Sequence, residues 1–124
     1  HFWKHGVEGH IVCISSKSGF AVTSPGHAHY ATAKGALTLM VKAMAREFTA
    51  KGITINGVAP GMVRTPLNED KLSQPHWLKY YQDRIPVGRI STAHEVAYAV
   101  AFLASEKARF IVGTIVDVTG GMLI

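Results

Sequence analysis

The sequence predicts an α/β fold of the doubly wound class, a parallel sheet with helices on both faces. Three observations carry this prediction. Short β-rich apolar runs occur at 9–14, 53–59 and 114–118; stretches of helical periodicity lie between them, at about 29–51 and 92–105. The connections are long enough for crossovers rather than hairpins, and parallel strands require crossovers. With 124 residues, 48% hydrophobic and 17% charged, the chain has the composition of one domain with a single modest core.

Each element has a local signature. GHIVCI at 9–14 is followed by SSKSG, so a buried strand is expected to run out into a polar loop. From about 29 to 51 the period changes: Leu37, Met40, Val41, Met44, Ala45 and Phe48 mark one helical face, and Gly52 supplies the stop. ITINGVA at 53–59 reads as a second strand. The Pro-punctuated stretch 60–90 follows, and its segment 66–84 mixes charge with Trp77, Tyr80 and Tyr81. That composition is expected to form a small helix acting as a mobile lid over a ligand; the competing reading is a permanently packed helix pair. Thr92-Ala-His-Glu95 is a capping-box pattern that starts a second main helix. TIVDV at 114–118 is the third strand. Ligands of such sheets lie at the carboxyl ends of the strands, here Ser15-Ser16, Ala59-Pro60-Gly61 and Thr119-Gly120-Gly121.

Several function classes are set aside on composition. No apolar stretch approaches the roughly 20 residues of a membrane-spanning helix, so no membrane partner is expected. The formal charge is +5, but the Lys and Arg residues are spread from Lys4 to Arg109 without a run or an aromatic platform, and no nucleic-acid partner is expected. The lone Cys13 cannot form an internal disulfide and sits in an apolar run, which suits a small buried hydrophobe in a reducing cytoplasm. Histidines are plentiful, yet His1/His5 and His27/His29 lack Cys or carboxylate company, and no metal site is expected. The opening HFWKHGVEGH has no feature of a signal peptide, and the chain is expected to start inside a longer protein.

The candidate chemistry sits at the start of the first long helix. Tyr30 and Lys34 are four residues apart, so they share a face, on the same stripe as Leu37, Val41 and Phe48. Lysine on a core-facing stripe needs a partner or an exit into a crevice; the competing reading is a Lys34 that snorkels outward beside a merely packed Tyr30. By chance, four Tyr and eight Lys would give one Y-x-x-x-K spacing in roughly every four chains of this length. Context strengthens the motif: Ser16 stands in S-x-x-G after the first strand, and P-G-x-x-x-T, Pro60 to Thr65, follows the second. A phenol is a poor base near neutrality, and an ammonium one helical turn away favours its phenolate form. Tyr30 then exchanges a proton with an alcohol or carbonyl oxygen, Ser16 donates a hydrogen bond to that oxygen, and a cofactor must carry any hydride.

These motifs resemble the short-chain dehydrogenase/reductase family along nearly the whole chain, from GHIVCISSKSG through HYATAKGALTLMVKAMAREF and GITINGVAPGMVRTP to IVGTIVDVTGGM. The resemblance implies the C-terminal half of a Rossmann-type sheet, with three strands, two main helices and a substrate-loop helix over 1–124. It implies NAD or NADP as cofactor and a hydride exchanged with a secondary alcohol or ketone. Ser16 becomes the oxygen-orienting residue, Tyr30 the general acid/base, and Lys34 both its modulator and a ligand of the nicotinamide ribose. Pro60, Gly61, Val63 and Thr65 line the nicotinamide end, with the Val63 backbone and Thr65 hydroxyl near the carboxamide, and Asn56 is structural. The sequence is similar both to 3-oxoacyl-acyl-carrier-protein reductases and, in TPLNEDKLSQP, to glucose 1-dehydrogenase-type enzymes, so the substrate is a small or carrier-bound carbonyl or alcohol.

Departures from the family pattern are also visible. The Ser16-to-Tyr30 spacing is one residue longer than in many members, Lys17 makes that loop basic, and Cys13 replaces a frequent Asn. No G-x-G-x-x-G turn occurs, and the dinucleotide-binding half is expected upstream of His1. Alone, the chain is therefore expected to be inactive and to be poorly folded or associated. The competing function is a non-catalytic fold fragment that binds like chains through the 29–51 helix and the last strand, surfaces that resemble those of family dimers and tetramers. A serine hydrolase is disfavoured because Ser16 lacks a G-x-S-x-G elbow.

Overall fold

The computed structural model describes residues 2–22 and 25–124. β1 (Gly9–Ile14), β2 (Ile53–Pro60) and β3 (Ile115–Val118) form one parallel sheet in the order β1-β2-β3. Gly9 stands opposite Ile53 and Ile14 opposite Val58; Gly57 stands opposite Ile115 and Pro60 opposite Val118. The central β2 is buried from Ile53 through Ala59. Its alternation decides the layering: Ile53 and Ile55 pack against Val41 and Ala45 of α1 (Ala28–Phe48), while Val58 packs against Leu103 of α4 (Ala93–Leu103) and Ala108. One main helix thus covers each face, as the α/β reading requires.

The helix α1 continues as a 3-10 turn, Thr49–Lys51, and stops at Gly52, whose φ of 80° is open to glycine at little cost. Its buried residues are Ala31, Thr38, Val41 and Ala45, and Met40 is 45% exposed, contrary to the face read from sequence. The reason is angular. At about 100° per residue Thr38, Val41 and Ala45 fall within about 60° of one another, whereas Met40 lies about 100° from Val41 on the other side. Leu37, Met44 and Phe48 are half-buried at the edge of the stripe.

The stretch 60–90 folds into a pair of short helices, as in the competing reading, and not into a single one: α2 (Glu69–Leu72), entered through a 3-10 turn Pro66–Asn68, and α3 (Pro75–Gln82). Pro75 explains the break, because helical backbone is disfavoured at a residue preceding proline, and Gln74 is extended at φ −86°, ψ 121°. Thr92 caps α4 through the capping box with Glu95, as its sequence indicates. Cys13 is half-buried against the α1 cluster. No helix among the described residues is long and apolar enough to cross a membrane.

Candidate active site

The chain leaves β1 through two buried serines. The hydroxyls of Ser15 and Thr38 lie 3.0 Å apart, and both reach the Lys34 carbonyl, at 3.1 and 3.0 Å. The strand end is thereby tied to α1 at Lys34. Ser16 caps the 3-10 turn Lys17–Gly19, its Oγ accepting the Ser18 N–H at 3.2 Å. Its hydroxyl proton has no acceptor among the described residues. The turn lies so close to α1 that a Cβ on Gly19 would stand 2.8 Å from the Lys34 carbonyl oxygen, which explains why glycine ends S-x-x-G.

Tyr30 opens the first turn of α1 and is exposed, and its hydroxyl has no partner among the described residues. Lys34, one turn on, is half-buried. Its Nζ donates to the Ile14 carbonyl at 2.8 Å and lies 5.8 Å from the Tyr30 ring centroid. The ammonium therefore stays beside the strand end and the Tyr30 ring, with two of its three donors left over.

After β2, Pro60 ends the strand and Gly61 donates to the Val118 carbonyl at 3.2 Å. Val63 forms an isolated parallel bridge with Ser91. Thr65 caps the 3-10 turn with Asn68 in a capping box. Asn68 holds this loop together: its Oδ1 accepts the Thr65 N–H at 3.0 Å and its Nδ2 donates to the Val63 carbonyl at 2.7 Å. The Val63 N–H has no partner among the described residues.

Ser16, Tyr30 and Gly61 meet in one cleft of about 430 Å³, whose other wall is Asn68, Lys71, Tyr80, Tyr81 and Arg84. That size suits a small-molecule site. Lys34, Pro60, Val63 and Thr65 are not among the lining residues; Lys34 reaches the cleft only through its contact with the Tyr30 ring, Pro60 ends β2, and Val63 and Thr65 follow Gly61 in the loop after it. No group of three or more His, Cys, Asp or Glu among the described residues could hold a metal ion.

A family profile described as Enoyl-(Acyl carrier protein) reductase matches residues 2–123. The 3-oxoacyl-[acyl-carrier-protein] reductase of Rickettsia prowazekii is 43% identical over 115 residues, 93% of this chain and 46% of that protein. The chain belongs to the short-chain dehydrogenase/reductase family. The 3beta-hydroxysteroid dehydrogenase 1 of Eggerthella lenta, another similar protein, is 34% identical over 98% of this chain and 46% of its own length. Among solved structures, 4-hydroxyisoleucine dehydrogenase complexed with NADH superimposes with a TM-score of 0.93 at 30% identity, over 98% of this chain and 49% of that one. Gluconate 5-dehydrogenase from Burkholderia cenocepacia, in complex with NADP and tartrate, gives 0.90 at 33% identity, over 98% and 47%. The chain thus spans about half the length of the family relatives it matches.

Some of what builds this family site was not visible as such in the sequence. Ser15 and Thr38 act as ties rather than reacting groups, and a Thr on the buried stripe of a helix was their one signal. Asn68 is the third residue after Thr65, the same capping-box spacing that Thr92 and Glu95 show. Asn56, assigned a structural role, has one: buried, it donates to the Ile111 carbonyl at 2.7 Å and accepts the Thr114 N–H at 3.1 Å.

Proposed function

We propose that this chain carries the catalytic part of an NAD(P)-dependent oxidoreductase that interconverts a secondary alcohol and a ketone, on a small or carrier-bound substrate. The observation that supports it best is the convergence of Ser16 and Tyr30 on one cleft, with Lys34 tied to Ile14 behind them. A nicotinamide cofactor fits the donor set: two unused Lys34 donors suit ribose hydroxyls, and the free Val63 N–H suits a carboxamide oxygen. When bound, the nicotinamide supplies or accepts the hydride that no side chain can carry. The protein's own part is proton and charge management. Tyr30 exchanges its hydroxyl proton with the substrate oxygen, and Ser16 donates its unused proton to the same oxygen as charge develops there. Lys34 keeps a positive charge beside the Tyr30 ring, on which negative charge forms. Gly61, with Pro60, Val63 and Thr65 on the Asn68-clamped loop, borders the nicotinamide end. Residues 1–124 supply the catalytic and substrate-binding share of the domain, and the single half-buried Cys13 suits a cytoplasmic enzyme.

Tyr30→Phe tests the reading. Turnover should fall by about 10²–10⁴-fold, the range of acid/base catalysis, with cofactor affinity largely kept. A variant retaining most of the wild-type kcat removes Tyr30 from the chemistry.

A second reading, association with like chains into a homodimer or homotetramer, rests on the outer face of α1. Leu39 is 68% exposed there, beside Met40 and flanked by Ala36 and Ala43, a surface small and apolar enough for a second helix. Leu39→Glu should shift sedimentation to a smaller species; unchanged sedimentation places the contact elsewhere or nowhere.

A further inference from the structure

The cleft that contains Ser16 and Tyr30 has no carboxylate among its lining residues, and its far wall carries Lys71 and Arg84. Elsewhere on the same segment cations are neutralised: Arg64 pairs with Glu69 and Lys79 with Asp83. Lys71 and Arg84 have no carboxylate within ion-pair distance among the described residues. They are held by aromatic rings instead. The Lys71 Nζ lies 4.1 Å from the Trp77 ring centroid and donates to the Tyr81 hydroxyl at 3.0 Å. The Arg84 guanidinium lies 3.7 Å from the Tyr80 ring centroid and donates to the Tyr80 carbonyl at 3.0 Å. Aromatic faces orient a cation without neutralising it. Each cation keeps unused donors, and the guanidinium fork matches the paired oxygens of an anion. A third cation, Lys17, stands on the near wall, where burial holds its ammonium below the usual lysine range.

We propose that Lys71 and Arg84 form an anion subsite, so that the protein's substrate is a ketone or alcohol bearing a carboxylate or phosphate group. The reacting oxygen lies at Ser16 and Tyr30 and the acidic group at the opposite wall. This rests on the oxidoreductase reading above. The subsite also gives α2 and α3 a role: their aromatic cluster of Trp77, Tyr80 and Tyr81 is the frame that aims the two cations.

The test uses the full-length protein with its nicotinamide cofactor and three matched ketones: 4-oxopentanoate, its methyl ester and 4-phosphooxy-2-butanone. The wild type should prefer one of the two anions over the ester by about tenfold or more in kcat/KM, the scale of a charge-assisted hydrogen bond, and the preferred anion identifies the group. Lys71→Met and Arg84→Met should each lower that anion-to-ester ratio towards one with the dissociation constant of NAD(P)H unchanged, which separates a substrate contact from a cofactor contact. Quenching of tryptophan fluorescence by the two anions, without turnover, reads the subsite independently. Ester reduced as well as the anions, with the ratio unaltered in the variants, overturns the subsite and leaves the oxidoreductase standing. Quenching by the anions that is lost in both variants, with no ketone reduced, keeps the subsite and overturns the oxidoreductase reading. Neither quenching nor turnover overturns both.

Discussion

The Lys34 ammonium donates a 2.8 Å hydrogen bond to the carbonyl of Ile14, the last residue of β1. That contact joins strand end to helix start, and it holds a positive charge 5.8 Å from the Tyr30 ring centroid. Under the proposed mechanism one side chain therefore serves structure, charge and cofactor at once. Lys34→Met should lower kcat by about 10²-fold or more and weaken cofactor binding together, in contrast to Tyr30→Phe. Single-turnover kinetics and a fluorescence titration with NADH and NADPH measure the two effects; a variant normal in both reduces Lys34 to a packing residue.

Asn56 should matter for stability rather than chemistry. It is 1% exposed on β2 and bonds at once to the Ile111 carbonyl and the Thr114 N–H, so it sets the segment that leads into β3. Asn56→Leu leaves both backbone groups without a partner, at about 1–3 kcal/mol each. Urea unfolding should show a loss of at least about 2 kcal/mol, on that scale. A loss below about 0.5 kcal/mol, the ordinary scatter of surface substitutions, would mean that water replaces both bonds.

The parts legible in the sequence were those set by local rules. Strand 9–14 shows an apolar run, Thr92 and Glu95 show a capping spacing, and Tyr30 and Lys34 share a helical face at any tertiary arrangement. What was not legible depends on where elements meet. Met40 has the spacing of a core residue, but the sheet approaches α1 from the Thr38 and Ala45 side. Lys71 and Arg84 are exposed cations, and that they share a cleft with Tyr30 appears only once α2 and α3 are in place. Pro75 did carry a readable signal, since a residue before proline resists helix, and it divides the segment 66–84 into two helices.

Glu95 gives α4 a pH dependence of defined sign. Hydrogen bonds from Arg89, then from the Thr92 backbone N–H, hold its carboxyl at about 2 against a usual value of 4.5. A carboxylate depressed in the folded state binds fewer protons there than when unfolded, so its contribution is present above 4.5 and is lost as pH falls towards 2. The urea midpoint of wild type should exceed that of Glu95→Gln at neutral pH, and the gap should close between those two values. High salt should narrow the gap as well, because the Arg89 pair is exposed. A gap that is constant with pH removes the carboxylate charge from the cap.

The segment 66–84 is expected to move as a unit. Its two helices pack chiefly against each other, and Leu67 lies almost fully in solvent, whereas Leu72 is 1% exposed and anchors the α2 end. Local opening follows low buried apolar contact, so amides of α3 should exchange faster than those of α1 or β2 in the free protein. The cleft faces of Asn68, Lys71, Tyr80, Tyr81 and Arg84 are where a ligand would touch the segment. Hydrogen exchange on the full-length protein should therefore show protection rising across 66–84 when cofactor and a substrate analogue are both bound, with β2 unchanged. If the segment is already as protected as α1 in the free protein and does not respond to ligand, it is a permanently packed wall of the cleft.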